Sequence, residues 1–495
     1  LIPMIEPFQP DYEDYLHDES RRVGRADQIA FPKTEAEVLQ ILQEAQAQSL
    51  PITPQGARTG ISAGAVPEGG LILNLSHLNQ VSPPEGQTLR VQPGVTLAAI
   101  REAVPPTHFF APDPTEPTAS IGGMISCNSS GALSFLHGPT RNHILGLRVA
   151  TLSGEVLDLQ RGRERADGLQ FKMGSTSGTL PRLPQPAVKN AAGYFVKPDM
   201  DLVDLFIGAE GTLGVVTEAT LQLLPMPGAV WGLMTFLPST ASVVQFVETL
   251  RQTPLAEGTQ LAALEYFNAR ALDFLRSKAE TLAGQEISVP DLPEGTSCVY
   301  AEWHAPDEAA AETAMLVAAE LLPELGGDPD TAILADNLHD IEKLKHFRHA
   351  LPELVNATVG ERRKAYPDLT KLGTDMSVPD ARLADVLSLY EPDLAATDLD
   401  HLTFGHIGAN HLHVNILPQT PADYDAGKAL YLRWAGSIIA WGGSISAEHG
   451  IGKLKRELFR QMVGDEALAK MHALKNIFDP HDLLSPGNLW ERPLS

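Results

Sequence analysis

Three stretches of small residues constrain this chain more than any other feature. They read PQGARTGISAG at 54–64, PDPTEPTASIGGMISCNSSG at 112–131 and IGAEGTLGVV at 207–216. The first offers consecutive backbone amides that no large side chain obstructs, and such a concave run of N–H groups is a cradle for a pyrophosphate. Its spacing fits neither a Walker loop nor the G-x-G-x-x-G fingerprint, which excludes P-loop and Rossmann readings. The second leaves room for a bulky flat ligand to lie on backbone. One such loop is usually a plain turn; three in one chain are hard to explain as independent turns.

The segments between the loops alternate strands and helices. TEAEVLQILQEAQAQ has Thr34 and Glu37 at capping-box spacing, followed by Val38, Ile41, Leu42 and Ala45 at helical periodicity. PITP, GLILNLSHL and TLRVQPGV read as strands, TLAAIREAV as a helix, and HILGLRVATLSGEVLDL as a hairpin turning at Ser153-Gly154. VVTEATLQLLP alternates and closes the first region near Pro225. Residues 162–188 are polar and Gly/Pro-rich, which predicts a surface excursion. From about Ala229 the order becomes strand, long helix, strand, as in VWGLMTF, STASVVQFVETL and CVYAEWHA, which predicts an α+β unit on an antiparallel sheet. Helical stretches at 421–441 and 457–478 precede DPHDLLSPGN.

Composition removes several classes of function. Across 495 residues, 37 Lys plus Arg face 62 Asp plus Glu, a formal charge of -25. That balance argues against nucleic acid and anionic membrane surfaces, both of which need a basic footprint. Two cysteines, Cys127 and Cys298, build no disulfide framework and ligate no iron–sulfur cluster. No apolar stretch reaches membrane-spanning length, and the acidic first residues lack a signal-peptide pattern. The expectation is a reduced, cytoplasmic setting.

GHIGANHLHVN, at 405–415, holds His406, His411 and His413, and SAEHGIG, at 446–452, holds Glu448 and His449. Positions 411 and 413 share a strand face. Positions 406 and 413 converge only if the chain turns between them, and Gly408-Ala409-Asn410 has turn chemistry. Two imidazoles and a carboxylate would make an open zinc or manganese site, with Glu448 as the third ligand. Residue types alone leave a metal-free pocket open as well.

Taken together, the motifs carry a resemblance. FPKTEAEVLQIL, PQGARTGISAGAVP, PTASIGGMISCNSSG, GAEGTLGVVTEATL, GHIGANHLHVN, SAEHGIG and DPHDLLSPGN follow the order of the FAD-linked oxidases and dehydrogenases with the vanillyl-alcohol oxidase/p-cresol methylhydroxylase fold. Within that fold the chain resembles the D-lactate, glycolate and D-2-hydroxyglutarate dehydrogenase branch. The resemblance implies an α+β architecture. A two-subdomain FAD-binding domain would cover 1–226 and an α+β cap or substrate domain with an antiparallel sheet 227–425. A C-terminal helical segment, 426–495, would return to the flavin.

The resemblance also assigns residues. Pro54, Gln55, Gly56, Ala57, Arg58, Thr59 and Gly60 would form the pyrophosphate loop. Pro114, Thr118, Gly122, Gly123, Asn128, Ser129 and Gly131 would run along the pyrophosphate, ribityl chain and ring, supported by Gly138. Glu210, Gly211 and Val216 would approach the adenosine and ring side, and Asn488 would close the site. Some relatives attach the flavin to a histidine in the first loop; none stands here, so a non-covalent FAD is expected. His406, His413 and Glu448 would hold the divalent metal and His449 would be the base. Relatives commonly read GDGN where this chain reads GANH: Ala409 removes a carboxylate and His411 adds a rival ligand.

A carboxylate substrate of so acidic a protein needs a local cation. KLKHFRHALPELVN places Lys343, Lys345 and Arg348 on a helix, and a guanidinium can hold a carboxylate by two parallel hydrogen bonds. Arg348 is the expected clamp, with Lys371 and Asn415 beside it. Relatives place a substrate lysine two residues before the Asp of a DxSxP segment, which is Gly373 here. The implied reaction is oxidation of a D-2-hydroxy acid to the 2-oxo acid, with the electrons leaving to a protein or quinone acceptor. The chain would work alone, as a homodimer or as a subunit of an oxidoreductase complex. Two rivals are a transferase of the ether-lipid synthase type and an electron-relay flavoprotein subunit.

Overall fold

The computed structural model describes residues 4–278 and 291–491; the ends of the expected first and last segments, 1–3 and 492–495, lie outside these. Thr34 opens the first helix, Glu35–Ala47, by accepting the Glu37 amide at 3.2 Å. Val38, Ile41, Leu42 and Ala45 are buried on its one apolar face. They pack on a four-stranded sheet ordered Ile5–Pro7, Gln28–Ala30, Leu71–Asn74, Ile52–Gln55, with its last two pairings parallel. A second sheet, antiparallel throughout, runs Thr88–Val91, Val215–Gln222, Ile144–Ala150, Val156–Gln160. Its Ile144–Ala150 and Val156–Gln160 strands form the expected hairpin.

The third sheet has eight strands among the described residues. Its order is Ile333–Ala335, Ala229–Leu237, Ser297–Ala305, Gln260–Phe267, His401–His406, His411–Ile416, Leu372–Gly373, with Met376–Ser377 also on His411–Ile416. Alternation divides its residues between two cores. Leu233, Leu264, Tyr266, Val299 and Trp303 share one with helices Thr240–Gln252 and Glu308–Leu321. Met234, Phe236, Phe267 and Tyr300 share the other with helices Ala269–Ser277 and Leu338–Arg362. Ser297–Ala305 is buried along its whole length, as a strand covered on both faces must be.

Two expectations change. Residues 162–188, expected as a surface excursion, contain a hairpin, Gln170–Met173 with Thr176–Thr179, whose Phe171 and Met173 enter the main core. The boundary expected after residue 425 falls inside one continuous helix, Pro421–Ala440. Pro421 there is the first residue of a capped helix, which tolerates its missing N–H, and so marks no linker. Gly427 lies close against Leu372 and Ile416, so this helix belongs with the third sheet. The chain then returns to the first domain, where Ser485 donates its amide to Ile52 and Ile52 donates its own to Leu483.

Candidate active site

The first small-residue loop leaves strand Ile52–Gln55 and curves through Arg58 and Ala63, both at positive φ. Among the described residues, the amides of Arg58, Thr59, Gly60 and Ile61 donate to no protein acceptor. A Cβ on Gly60 would meet nothing nearer than Asp18 Oδ2 at 4.0 Å. An open line of unpaired N–H groups fits a diphosphate. The side chains brace the loop from behind: Gln55 donates to Tyr15 O and Ala65 O, each at 2.8 Å, and Arg58 donates to Asp14 O while lying over Tyr15.

The second loop meets the first where Ser120 Oγ accepts the Ala57 amide at 3.2 Å; a Cβ on Gly56 would collide with that hydroxyl. Gly122 packs on Pro93, Gly131 packs on Asp113, and Gly123 lies beside Ser120. Asn128, at φ 51, ends helix Ile121–Cys127 and accepts the Arg141 amide. Ser129 pairs with Thr140, and Gly138 turns at φ 78 against Asn142. Thr118 is exposed and turned to Glu116; Pro114 is partly buried.

Glu210 and Asn488, expected to approach the cofactor, both engage protein. The Glu210 carboxylate accepts the Ile451 and Gly452 amides at 2.6 and 2.7 Å. Asn488 donates to Gly64 O and Glu210 O, and Lys453 donates to Asn488 Oδ1 at 2.7 Å. Both tie the loop carrying Glu448 and His449 to the first and third small-residue loops. Gly211 packs on Ser485 and Val216 is buried in the second sheet.

The histidines converge because the chain reverses between them. Strands His401–His406 and His411–Ile416 form a hairpin in which His406 faces His411 and Phe404 faces His413, with Asn410 left-handed at φ 52. All three imidazoles therefore share one sheet face. His406 Nε2 lies 3.3 Å from Glu448 Oε2 and His413 Nε2 lies 3.2 Å from Glu448 Oε1. His411 Nδ1 is 3.8 Å from Glu448 Oε2. One donor atom from each of these four residues lies within 4.8 Å of the others.

The outward ring nitrogens are also committed. His406 Nδ1 is 2.8 Å from Glu265 Oε1, and His413 Nδ1 donates to Thr374 O at 2.9 Å. A carboxylate or carbonyl on the far nitrogen fixes the tautomer that aims Nε2 at a metal. The donor set thus fits a divalent ion at His406, His413 and Glu448, with His411 at hand. Burial would lower His406 and raise Glu448. Glu265 and Glu448 instead push His406 up to about 9, while Lys189, His406 and His411 hold Glu448 well below the carboxylate range. Ser130, in the second loop, donates to Glu448 Oε2 at 3.0 Å and joins that loop to the cluster.

His449 Nδ1 is 3.2 Å from Asp375 Oδ2, and its ring remains 31% exposed. Arg348 reaches the same sheet face from helix Leu338–Arg362. Only 7% exposed, it lies over Tyr300, and its Nε and Nη1 are buried without a hydrogen-bond partner. Burial disfavours its charge, but Glu265, Tyr300 and Glu302 hold it above its ordinary value. Asn415 donates to His413 O, and burial with Arg21 nearby lowers Lys371 to about 8. Among the described residues no hydrogen bond or ion pair joins Lys371 to the cluster. The sequence reading missed Lys189, Glu265, Asp375 and Ser130. Acidic residues inside the apolar strand QLAALEYF and the segment TDMSVP were the available signal.

Known proteins bear on this geometry. Residues 230–489 match the family model for the C-terminal domain of FAD linked oxidases, and residues 26–160 match an FAD binding domain. D-2-hydroxyglutarate dehydrogenase of Xanthomonas citri pv. viticola is 32% identical, over 97% of this chain and 93% of its own. Glycolate oxidase subunit GlcD of Bacillus subtilis is 27% identical, over 94% and 89%, and D-lactate dehydrogenase of Anaerostipes hadrus 26%, over 96% and 92%. A solved alkyldihydroxyacetonephosphate synthase superposes with a TM-score of 0.65 at 15% identity, over 98% of this chain and 83% of that one; this likeness shows the fold alone. The family matches and these relatives define an FAD-dependent oxidoreductase. The chain belongs to the FAD-linked oxidase family. Among the described residues no helix is long and apolar enough to cross a membrane.

Proposed function

We propose that this oxidoreductase converts a D-2-hydroxy acid of the lactate, glycolate or 2-hydroxyglutarate type to the 2-oxo acid. The observation that carries the reading is Arg348: a buried guanidinium with two unpartnered donor atoms, on the sheet face that bears the histidine cluster. Unpaired buried donors are costly, and a substrate carboxylate would satisfy them. The relatives named for 2-hydroxy-acid oxidation support the same substrate class.

Non-covalent FAD, when bound, supplies the two-electron acceptor. Zinc or manganese at His406, His413 and Glu448 would supply a Lewis acid for the substrate hydroxyl. The remaining work belongs to side chains. Arg348 orients the carboxylate. His449 accepts the hydroxyl proton on Nε2, because Asp375 takes the Nδ1 hydrogen and fixes the tautomer. The electrons pass on to a protein or quinone acceptor; a relative named as an oxidase subunit supports work within a complex.

Steady-state assay with an artificial dye acceptor tests the reading. Dye reduction should follow addition of a D-2-hydroxy acid and yield the 2-oxo acid in equal amount. Activity confined to alkyl transfer, without dye reduction, would replace it with the transferase.

A further inference from the structure

The histidine cluster already contains a cation. Lys189 enters it from the chain between strand Thr176–Thr179 and the turn Leu202–Leu205, distant in sequence from the hairpin. Its Nζ donates to Glu448 Oε2 at 2.6 Å and lies 3.2 Å from His411 Nδ1, with the side chain 12% exposed. Its own carbonyl and the neighbouring side chain are held. Ser377 Oγ donates to Lys189 O at 2.6 Å, and Ser444 Oγ donates to Asn190 Oδ1 at 2.7 Å. Among the described residues the ammonium touches only Glu448 and His411 by hydrogen bond.

Lys189 also borders open space. A cavity of about 410 Å³ is lined by Pro186, Val188, Lys189, Pro379, Asp380 and Ala409, among others. Ala409 contributes only a methyl group to this wall. Asp380 stands in the same wall, its Oδ1 accepting Asn410 Nδ2 at 2.7 Å and lying 3.7 Å from Arg251.

We infer that Lys189 is a removable internal cation: it occupies the His406/His411/His413/Glu448 cluster in the metal-free protein and leaves for the adjoining cavity when a divalent ion enters. The inference rests on the metal reading of that cluster. A buried carboxylate such as Glu448 needs a positive partner at all times, since an unpaired buried charge is costly. Zinc ligated at about 2.0–2.2 Å by the same oxygen would sit within a few ångströms of the present ammonium. Two like charges so close in a buried site repel strongly. The flexible four-carbon stem can withdraw while its backbone stays pinned, and the cavity receives it.

The test is a titration of the FAD-loaded protein, stripped of metal, with Zn²⁺ and separately Mn²⁺. Wild type, Lys189→Met and Lys189→Arg are compared by competition with a chromophoric chelator. Lys189→Met removes the charge and should bind at least about tenfold more tightly than wild type; Lys189→Arg keeps it and should bind no more tightly. Without metal, Lys189→Met should also unfold at a lower temperature than wild type, and metal should reverse the loss. Should Lys189→Met prove insoluble without metal, Lys189→Gln purified with Zn²⁺ and titrated with chelator gives the same comparison. Equal or weaker binding by the neutral variants overturns the inference while leaving the metal site standing. Absence of binding by every form overturns both.

Discussion

Asp375 Oδ2 receives His449 Nδ1 at 3.2 Å and Lys455 Nζ at 2.6 Å, so one buried carboxylate both orients the proposed base and is neutralised from behind. The same side chain accepts the Glu448 and His449 amides and the Ser446 hydroxyl. Burial would raise its pKa, yet Lys455 and His449 hold it well below the usual range. Asp375→Asn keeps the size but loses the charge that selects the Nδ1–H tautomer. The rate of flavin reduction at saturating substrate should fall by about 10² to 10⁴ while FAD stays bound. A reduction rate within a few-fold of wild type would show that Asp375 braces the loop and nothing more.

Arg348→Ala should act differently. A guanidinium that holds the carboxylate serves ground state and transition state alike, so KM rises and kcat moves less. A charged hydrogen bond is worth about 1.5–3 kcal/mol, roughly ten- to a hundredfold in affinity. Steady-state kinetics decide it. An unchanged KM removes Arg348 from the substrate site.

The flavin should leave with acid. The loop at 54–64 contains no histidine to attach it. Trichloroacetic acid precipitation should therefore release the yellow colour to the supernatant, and colour kept in the pellet would reveal a covalent link elsewhere.

Asp113 gives a pH-dependent stability. Burial pushes this partly buried carboxyl up to about 6, against the pull of Arg348 and Lys345. A folded pKa above the unfolded value means a stabilising contribution that is complete below about pH 4 and lost as pH rises through about 6. Asp113→Asn keeps an acceptor for the Leu133 amide, which now bonds Asp113 Oδ1. The variant should match wild type near pH 4.5 and exceed it near pH 7.5, by roughly 1–2 kcal/mol after allowance for partial solvent screening. Thermal unfolding at the two pH values provides the check, and a pH-independent difference would contradict it.

How much of this was legible beforehand depends on sequence distance. The convergence of His406 and His413 could be argued from seven residues and the turn chemistry of Gly408-Ala409-Asn410, because a hairpin is local. The segment KLKHFRHALPELVN read as the helix bearing Arg348, but the ring of Tyr300 beneath it could not be read. Lys189 could not be found this way. It lies 222 positions from His411, at the end of a stretch whose polarity reads as solvent-facing. Glu210 and Asn488 stand in cofactor motifs, yet the Glu210 carboxylate holds the Ile451–Gly452 turn and the Asn488 amide bridges Gly64 O and Glu210 O, roles visible only once three distant loops meet. Glu265 and Glu302 did leave a trace, since a buried acid in an apolar strand needs a cation or an imidazole, and His406 and His304 supply it.

The most direct measurement is anaerobic stopped-flow mixing of the FAD-loaded protein with matched D and L pairs of lactate and 2-hydroxyglutarate, and with glycolate. Absorbance of the oxidised flavin near its visible maximum is followed through one turnover. At least one D-2-hydroxy acid or glycolate should bleach the flavin rapidly and yield one equivalent of 2-oxo acid, while the L enantiomers leave it oxidised. A flavin that stays oxidised with every 2-hydroxy acid in the panel would contradict the proposed activity.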